Sequence, residues 1–291
     1  MPGLSLALPL ALLLQASAPA APPSPAEIVA AAPASAWIDI PADEILVMDL
    51  RGDRRVVIRL APAWAPAHVA NIRALAAARH WDGQAIARVQ DNYVAQWGAT
   101  GAERPLPPGI AAAPPAEFDR PAGGIVYRPL PAPDAYAPAT GHSADGWPMA
   151  RDATAAWLPH CYAMVGAGRE LAPDTGSGAE LYAVIGHAPR HLDRNLALVG
   201  QVIAGIEHLS ALPRGTGPLG FYATAAEQTP ILRVRSGEAV PGLPRYQFLD
   251  PTSAPFAAYA QARANRRDPF FNRPSGGADI CNVPVPIRAR P

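Results

Sequence analysis

Ile86-Ala87-Arg88-Val89-Gln90-Asp91-Asn92-Tyr93-Val94-Ala95-Gln96-Trp97-Gly98 is the stretch from which the chain is best read. Arg88, Tyr93 and Gln96 stand at spacings of five and three. A strand interrupted by a turn or a bulge places all three on one surface. That surface combines a guanidinium, an aromatic face and an amide, a set suited to holding a peptide group beside an apolar ring. Taken alone, Arg88 fits better as a surface strand arginine in an ion pair, for example with Asp91.

The flanking sequence reads as a β-rich scaffold. Ile45–Leu50 and Arg55–Leu60 are β-prone runs joined by Gly52-Asp53-Arg54, a hairpin signal. From Pro66 the period becomes helical, with Val69, Ile72 and Leu75 on one face. Cys161–Val165, Glu180–Ile185, Leu198–Val202 and Thr229–Arg235 read as further strands, and Ile206, Leu209 and Leu212 as a short helix. Residues 99–159 are rich in Pro, Gly and Ala and read as a long loop excursion over the surface. Residues 242–291 read as a C-terminal extension with a helix in Pro255–Arg267.

Hydrophobic residues make up 49% of the 291, enough for a sizeable core. All 24 residues counted as Lys plus Arg are Arg, and the formal net charge is zero. Without a basic block, nucleic acid is not an expected partner. Leu4–Leu14 is an apolar run too short for a stable membrane anchor, and Ala18-Pro19-Ala20 offers a small-residue cleavage site. Residues 1–20 therefore read as an export signal, with a periplasmic or secreted product and no stable membrane insertion once it is removed. Residues 21–40, Pro/Ala-rich at their start, read as a linker, and 41–241 as the main domain. Cys161 and Cys281 form an even pair that an oxidising compartment can join; sequence leaves bridged and free forms equally open.

With these elements in order, the chain resembles the cyclophilin-type peptidyl-prolyl isomerases, in a divergent exported bacterial form. The resemblance runs from about Ile45 to Arg235. It rests on Val57–Leu60, Ala65-Pro66, Val69-Ala70-Asn71, Trp81-Asp82-Gly83, Ala87-Arg88-Val89 and Tyr93–Gly98. It continues through Tyr162-Ala163-Met164, Thr175–Tyr182, Leu192-Asp193, Leu198–Val202 and Gly205. It implies a mainly β fold: a closed eight-stranded antiparallel β-barrel with two capping helices. It implies peptidyl-prolyl cis-trans isomerisation of Pro-containing polypeptides by a monomer, with no cofactor and no metal.

Carried over by position, Arg88 matches the catalytic arginine and Gln96 the glutamine that holds the substrate backbone. Tyr93 and Tyr182 match the aromatics of the proline pocket, and Leu192 its wall. Glu180 stands where the family usually has Gln. His191 replaces a Trp of cyclosporin-sensitive members, which implies weak binding of that drug. Ile86-Ala87 replaces Phe-His, Leu196 a pocket histidine, Trp97 a Gly, and a loop asparagine is lost near Gly166. These departures support a second reading, a cyclophilin-like binding module or chaperone for Pro-containing segments with weak turnover.

Two other motifs carry less. Asp174-Thr175-Gly176-Ser177 spells an aspartic-protease loop but lacks a second copy to share a proton. Gly215–Gly220 fits G-x-G-x-x-G, yet Pro218 lies inside it and no helical pattern follows.

Overall fold

The computed structural model describes residues 21–98 and 104–290, so the expected export signal lies outside the described residues. The expected linker is corrected at once. Its first part is a short helix, α1 (Pro25–Ala30), followed by strand β1 (Trp37–Asp39). Ser24 caps α1 through a capping box with Glu27, and Pro25 occupies its first turn. Local capping and later packing order a stretch whose composition alone looked unstructured.

The expected hairpin forms from β2 (Ile45–Leu50) and β3 (Arg54–Leu60), in register from Ile45 opposite Arg59 to Leu50 opposite Arg54. Gly52 and Asp53 turn the chain at φ 81° and 53°, a region that Gly and Asp tolerate best. The helix α2 (Pro66–Ala77) buries Val69, Ile72 and Leu75 as its period requires. Strands β4 (Ala85–Val89) and β5 (Val94–Trp97) make the next hairpin.

The excursion is the second correction. It folds into β6 (Arg120–Pro121), β7 (Tyr127–Leu130), β8 (Ala139–Ser143), β9 (Pro148–Arg151) and β10 (Ala155–Trp157). These form one antiparallel sheet in the order β6-β10-β9-β8-β7. The strands are short and carry Pro121, Pro129, Gly141 and Pro148, residues that lower strand propensity and hide the period-two pattern.

The remaining elements are β11 (Met164–Ala167), β12 (Leu181–Val184), β13 (Leu198–Ala204), α3 (Glu207–Ser210), β14 (Thr229–Ser236), β15 (Tyr246–Leu249), α4 (Ala254–Ala264) and β16 (Ile287–Ala289). The barrel closes as expected, with eight strands in the order β11-β12-β5-β4-β14-β2-β3-β13 and β13 back on β11. The C-terminal extension contains its expected helix, α4, against which α1 packs; it also supplies β15 and β16, which join β1 in a third sheet. None of the described helices is long and apolar enough to cross a membrane.

The barrel wall is buried on both sides. Leu46, Met48, Leu50, Val56, Ile58 and Leu60 point into the barrel with Val69, Ile72 and Leu75 of α2. Their alternates Ile45, Val47, Val57, Val94 and Val184 point outward. There they meet Trp147 and Met149 of the excursion sheet and Phe248 and Phe256 of the C-terminal extension. The apolar run Ile45–Met48 of β2 has its cause here, since a stretch of strand covered on both faces needs no polar alternates.

Cys161, just before β11, is disulfide-bonded to Cys281 in the C-terminal extension, with a Cα separation of 5.0 Å and a sequence separation of 120. The bridge fastens the extension to the barrel. Constraining a loop of this length in the unfolded chain stabilises the native state, by about 2–5 kcal/mol for native disulfides. The Cys161→Ala/Cys281→Ala double variant is expected to lose that amount in urea unfolding. An unchanged midpoint would show that packing alone fastens the extension.

Candidate functional site

The site is built by one row of residues across the outer face of four neighbouring strands. Arg88 on β4 lies opposite Gln96 on β5, Gln96 opposite Tyr182 on β12, and Tyr182 opposite Gly166 on β11. A β-bulge between Ile86 and Arg88 sets the first member. Strict alternation would send Ile86 and Arg88 to the same side. The bulge keeps Ile86 and Val89 in the barrel core and turns Arg88 outward to face Gln96. Gln90–Tyr93 close the hairpin, with Asn92 at φ 51°.

A cleft of about 130 Å³ opens over this row, lined by Arg88, Tyr93, Gln96, Glu180, Tyr182 and Leu192 among others. Arg88 Nη1 donates to Gln96 Oε1 at 2.9 Å, and Gln96 Nε2 donates to Glu180 Oε1. The amide of Gln96 is therefore clamped between a cation and a carboxylate, which fixes which way it points. Arg88 Nη2 also donates to Gln90 Oε1. Burial pulls the Arg88 pKa down, opposed by Tyr93 and Glu180, and the group stays a cation. Burial pushes the Glu180 carboxyl up, against the Gln96 hydrogen bond.

The rear of Arg88 is held by an elbow of the chain. Its Nε donates to the carbonyl of Leu219 at 2.7 Å, and its guanidinium lies 5.3 Å from the ring centre of Phe221 and 5.6 Å from that of Tyr93. Leu219 and Gly220 adopt φ 55° and 80°, and a Cβ at Gly220 would press on the backbone of Gln90. The G-x-G-x-x-G match is thus a support for Arg88, its glycine needed for close approach to β4.

Residues 45–235, well over half of the chain, match the model of the cyclophilin-type peptidyl-prolyl cis-trans isomerase/CLD family. This chain belongs to the cyclophilin-type peptidyl-prolyl isomerases. Among solved structures it is similar to the cyclophilin AquaCyp293 from Hirschia baltica, at 21% identity and a TM-score of 0.68, over 87% of this chain and 92% of that one. A cyclophilin-type isomerase of Cryptosporidium parvum, solved in the presence of the dipeptide Ala-Pro, matches at 11% identity and a TM-score of 0.41, over 66% of this chain and 98% of that one. No curated protein sequence matches.

Against the cyclophilin expectation, the structure brings Arg88, Tyr93, Gln96, Glu180, Tyr182 and Leu192 into one cleft. His191 stands behind it, stacked on Tyr93 with ring centres 5.8 Å apart and its Nδ1 against the carbonyl of Ala188. Asp91, the alternative partner for Arg88, pairs with Arg214 instead. Asp174 of the protease-like motif accepts the backbone N–H groups of Glu170 and Gly176, a loop staple. Sequence reasoning missed Arg169 and Gly168, which line the cleft from the end of β11, and His160, which lies under Tyr182. His160 adjoins Cys161 in a stretch read as the end of a loop, so only the cysteine drew notice.

Glu180 gives a testable pH effect. Its raised carboxyl pKa means that the fold prefers the neutral form. That preference is fully expressed below its ordinary value of 4.5 and is lost as pH rises through the elevated folded value. Glu180→Gln, neutral throughout, is expected to be more stable than wild type at neutral pH, with the gap closing below pH 4.5. Urea midpoints at the two pH values check this; a gap that does not change with pH would contradict it.

Proposed function

We propose that this isomerase is exported and accelerates the folding of Pro-containing polypeptides outside the cytoplasm, with Arg88 as its catalytic residue. Rotation about an X-Pro bond is opposed by amide resonance, a barrier of about 18–20 kcal/mol. Uncatalysed exchange takes roughly tens to hundreds of seconds. Resonance is lost in the transition state, so the prolyl nitrogen becomes pyramidal and basic. A donor aimed at that nitrogen binds the transition state more tightly than the ground state, which is the condition for catalysis.

The observation that carries this reading is the guanidinium of Arg88, held from behind by Leu219 and at 2.9 Å by Gln96 Oε1, at the edge of an aromatic cleft. Each Nη carries a second N–H that a prolyl nitrogen can receive. Tyr93, Tyr182 and Leu192 hold the proline ring while the acyl side turns. Gln96 holds a substrate carbonyl or N–H, and Glu180 keeps the Gln96 amide oriented. His191 supports Tyr93 from behind. No nucleophile takes part in these steps.

Export is supported by the apolar Leu4–Leu14 run with its Ala18-Pro19-Ala20 site, and by the Cys161–Cys281 disulfide, a bond that persists in oxidising compartments. Cell fractionation is expected to find the chain outside the cytoplasm and shortened by about 20 residues, as the small-residue site would leave it.

The catalytic assignment is tested by NMR exchange of a short X-Pro peptide. Arg88→Ala is expected to lose about 10²–10³-fold in kcat/KM, the usual cost of removing a preorganised donor. Arg88→Lys is expected to recover little, since an ammonium cannot hold Leu219 and Gln96 in the guanidinium's fork. Wild-type protein that binds the peptide without speeding exchange would leave a binding module in place of the enzyme.

A further inference from the structure

The strand row ends in an oddity. Tyr182 stands where the family has Phe, and its hydroxyl points away from the cleft into the protein. Its partner across β11 is Gly166, and a Cβ at that position would overlap the hydroxyl. Beyond it, His160 Nε2 lies 2.8 Å from the Tyr182 oxygen, and the two rings are stacked at an interplanar angle of 7° with centres 6.1 Å apart. His160 Nδ1 lies 3.0 Å from Asp193 Oδ1, which also accepts the His160 backbone N–H at 2.8 Å. Asp193 Oδ2 accepts from Arg190 Nε at 3.0 Å, and Arg190 also binds Asp134 and Asp279. The side chains of His160 and Arg190 are fully buried.

The donors and acceptors fix the direction of this chain. A carboxylate only accepts, so the imidazole proton sits on Nδ1. Nε2 is then a bare acceptor, and the Tyr182 O–H donates to it. The phenol ring is thus gripped at its far end as well as at its Cβ. We infer that His160 is a positioning residue for the proline pocket, holding the Tyr182 ring through its hydroxyl while Asp193 and Arg190 hold the imidazole. The inference rests on the isomerase reading of the cleft and deepens it. The ring is held alike in the ground state and the transition state, so loosening it weakens binding more than turnover.

The test compares wild type, Tyr182→Phe, His160→Asn and His160→Gln, and the Tyr182→Phe/His160→Asn double variant, using one X-Pro peptide for both NMR titration and exchange. Losing one buried hydrogen bond is expected to raise Kd and KM about fivefold in Tyr182→Phe, with a smaller change in kcat. His160→Asn overlays Nδ1 and keeps Asp193 but drops Tyr182, so it is expected to match Tyr182→Phe, and the double variant to be no worse than either. His160→Gln reaches the Nε2 position and is expected to regain part of the lost affinity. Nitrogen-15 spectra of the His160 ring are expected to show Nδ1 protonated and Nε2 bare, with the Nε2 signal moving in Tyr182→Phe. Wild-type affinity in Tyr182→Phe, additive losses in the double variant, or a proton on Nε2 would each overturn the inference. Tyr182→Phe, which only removes a hydroxyl, keeps the test valid if the His160 variants fail to fold. If wild type does not speed exchange, the isomerase reading fails by itself, and the Kd series and ring spectra still decide the role of His160.

Discussion

The structure depends on one constraint: the barrel wall is apolar on both faces. Inward residues such as Met48, Ile58 and Leu181 fill the barrel, and outward ones such as Val47, Val57 and Val184 need cover of their own. The excursion sheet, α1, α4 and the β1-β15-β16 sheet supply it. Arg59 on β3 shows how closely part of this wall is enclosed. Arg59, 4% exposed, lies 4.5 Å from the ring centre of Trp147 and 4.6 Å from that of Phe248, and it donates to the carbonyl of Asp145 at 2.8 Å. Burying a guanidinium is costly unless its donors and its flat faces are used, and here both are.

The cleft is a part of the outer wall that the cover leaves open. On β5 and β12 the outward positions change from Val94 and Val184 to Gln96 and Tyr182, and β4 adds Arg88 beside them. The same alternation that builds the core thus delivers the polar row, with the bulge at Ala87 correcting its phase on β4. A cation at such an edge is useful only if it cannot turn away. The Leu219 carbonyl, the Phe221 face and the Gln96 amide hold it on three sides.

What was legible in the sequence follows from how local its causes are. The β2–β3 hairpin was readable because Gly52-Asp53 and two β-branched runs sit side by side. The row of Arg88, Gln96 and Tyr182 was readable through the family's ordered motifs, whose spacing the strands preserve. The excursion was not, because Pro121, Pro129, Gly141 and Pro148 break the pattern of strands that exist by packing onto the barrel. Residues 21–40 were misread for a related reason: α1 is ordered by a Ser24–Glu27 box and by α4, more than two hundred residues away. Whether Cys161 and Cys281 are bridged was undecidable, since only the folded extension brings the two together.

The added layers also reach the site through charge. Arg190 gathers Asp134 from the excursion, Asp193 from the turn after Leu192 and Asp279 from the C-terminal extension. Three carboxylates about one buried guanidinium leave negative charge to be balanced. Asp134 and Asp279 also accept backbone N–H groups of their own segments, from Tyr136 and Cys281, and Asp193 accepts that of His160 from before β11. The segments are therefore folded by the same carboxylates that Arg190 draws together. Removing Arg190 from such a cluster would strand buried negative charge on all three carboxylates. The extension that covers the barrel wall in this way also reaches the support under the proline pocket: its Asp279 pairs with the same Arg190 that holds Asp193, and Asp193 holds His160 under Tyr182.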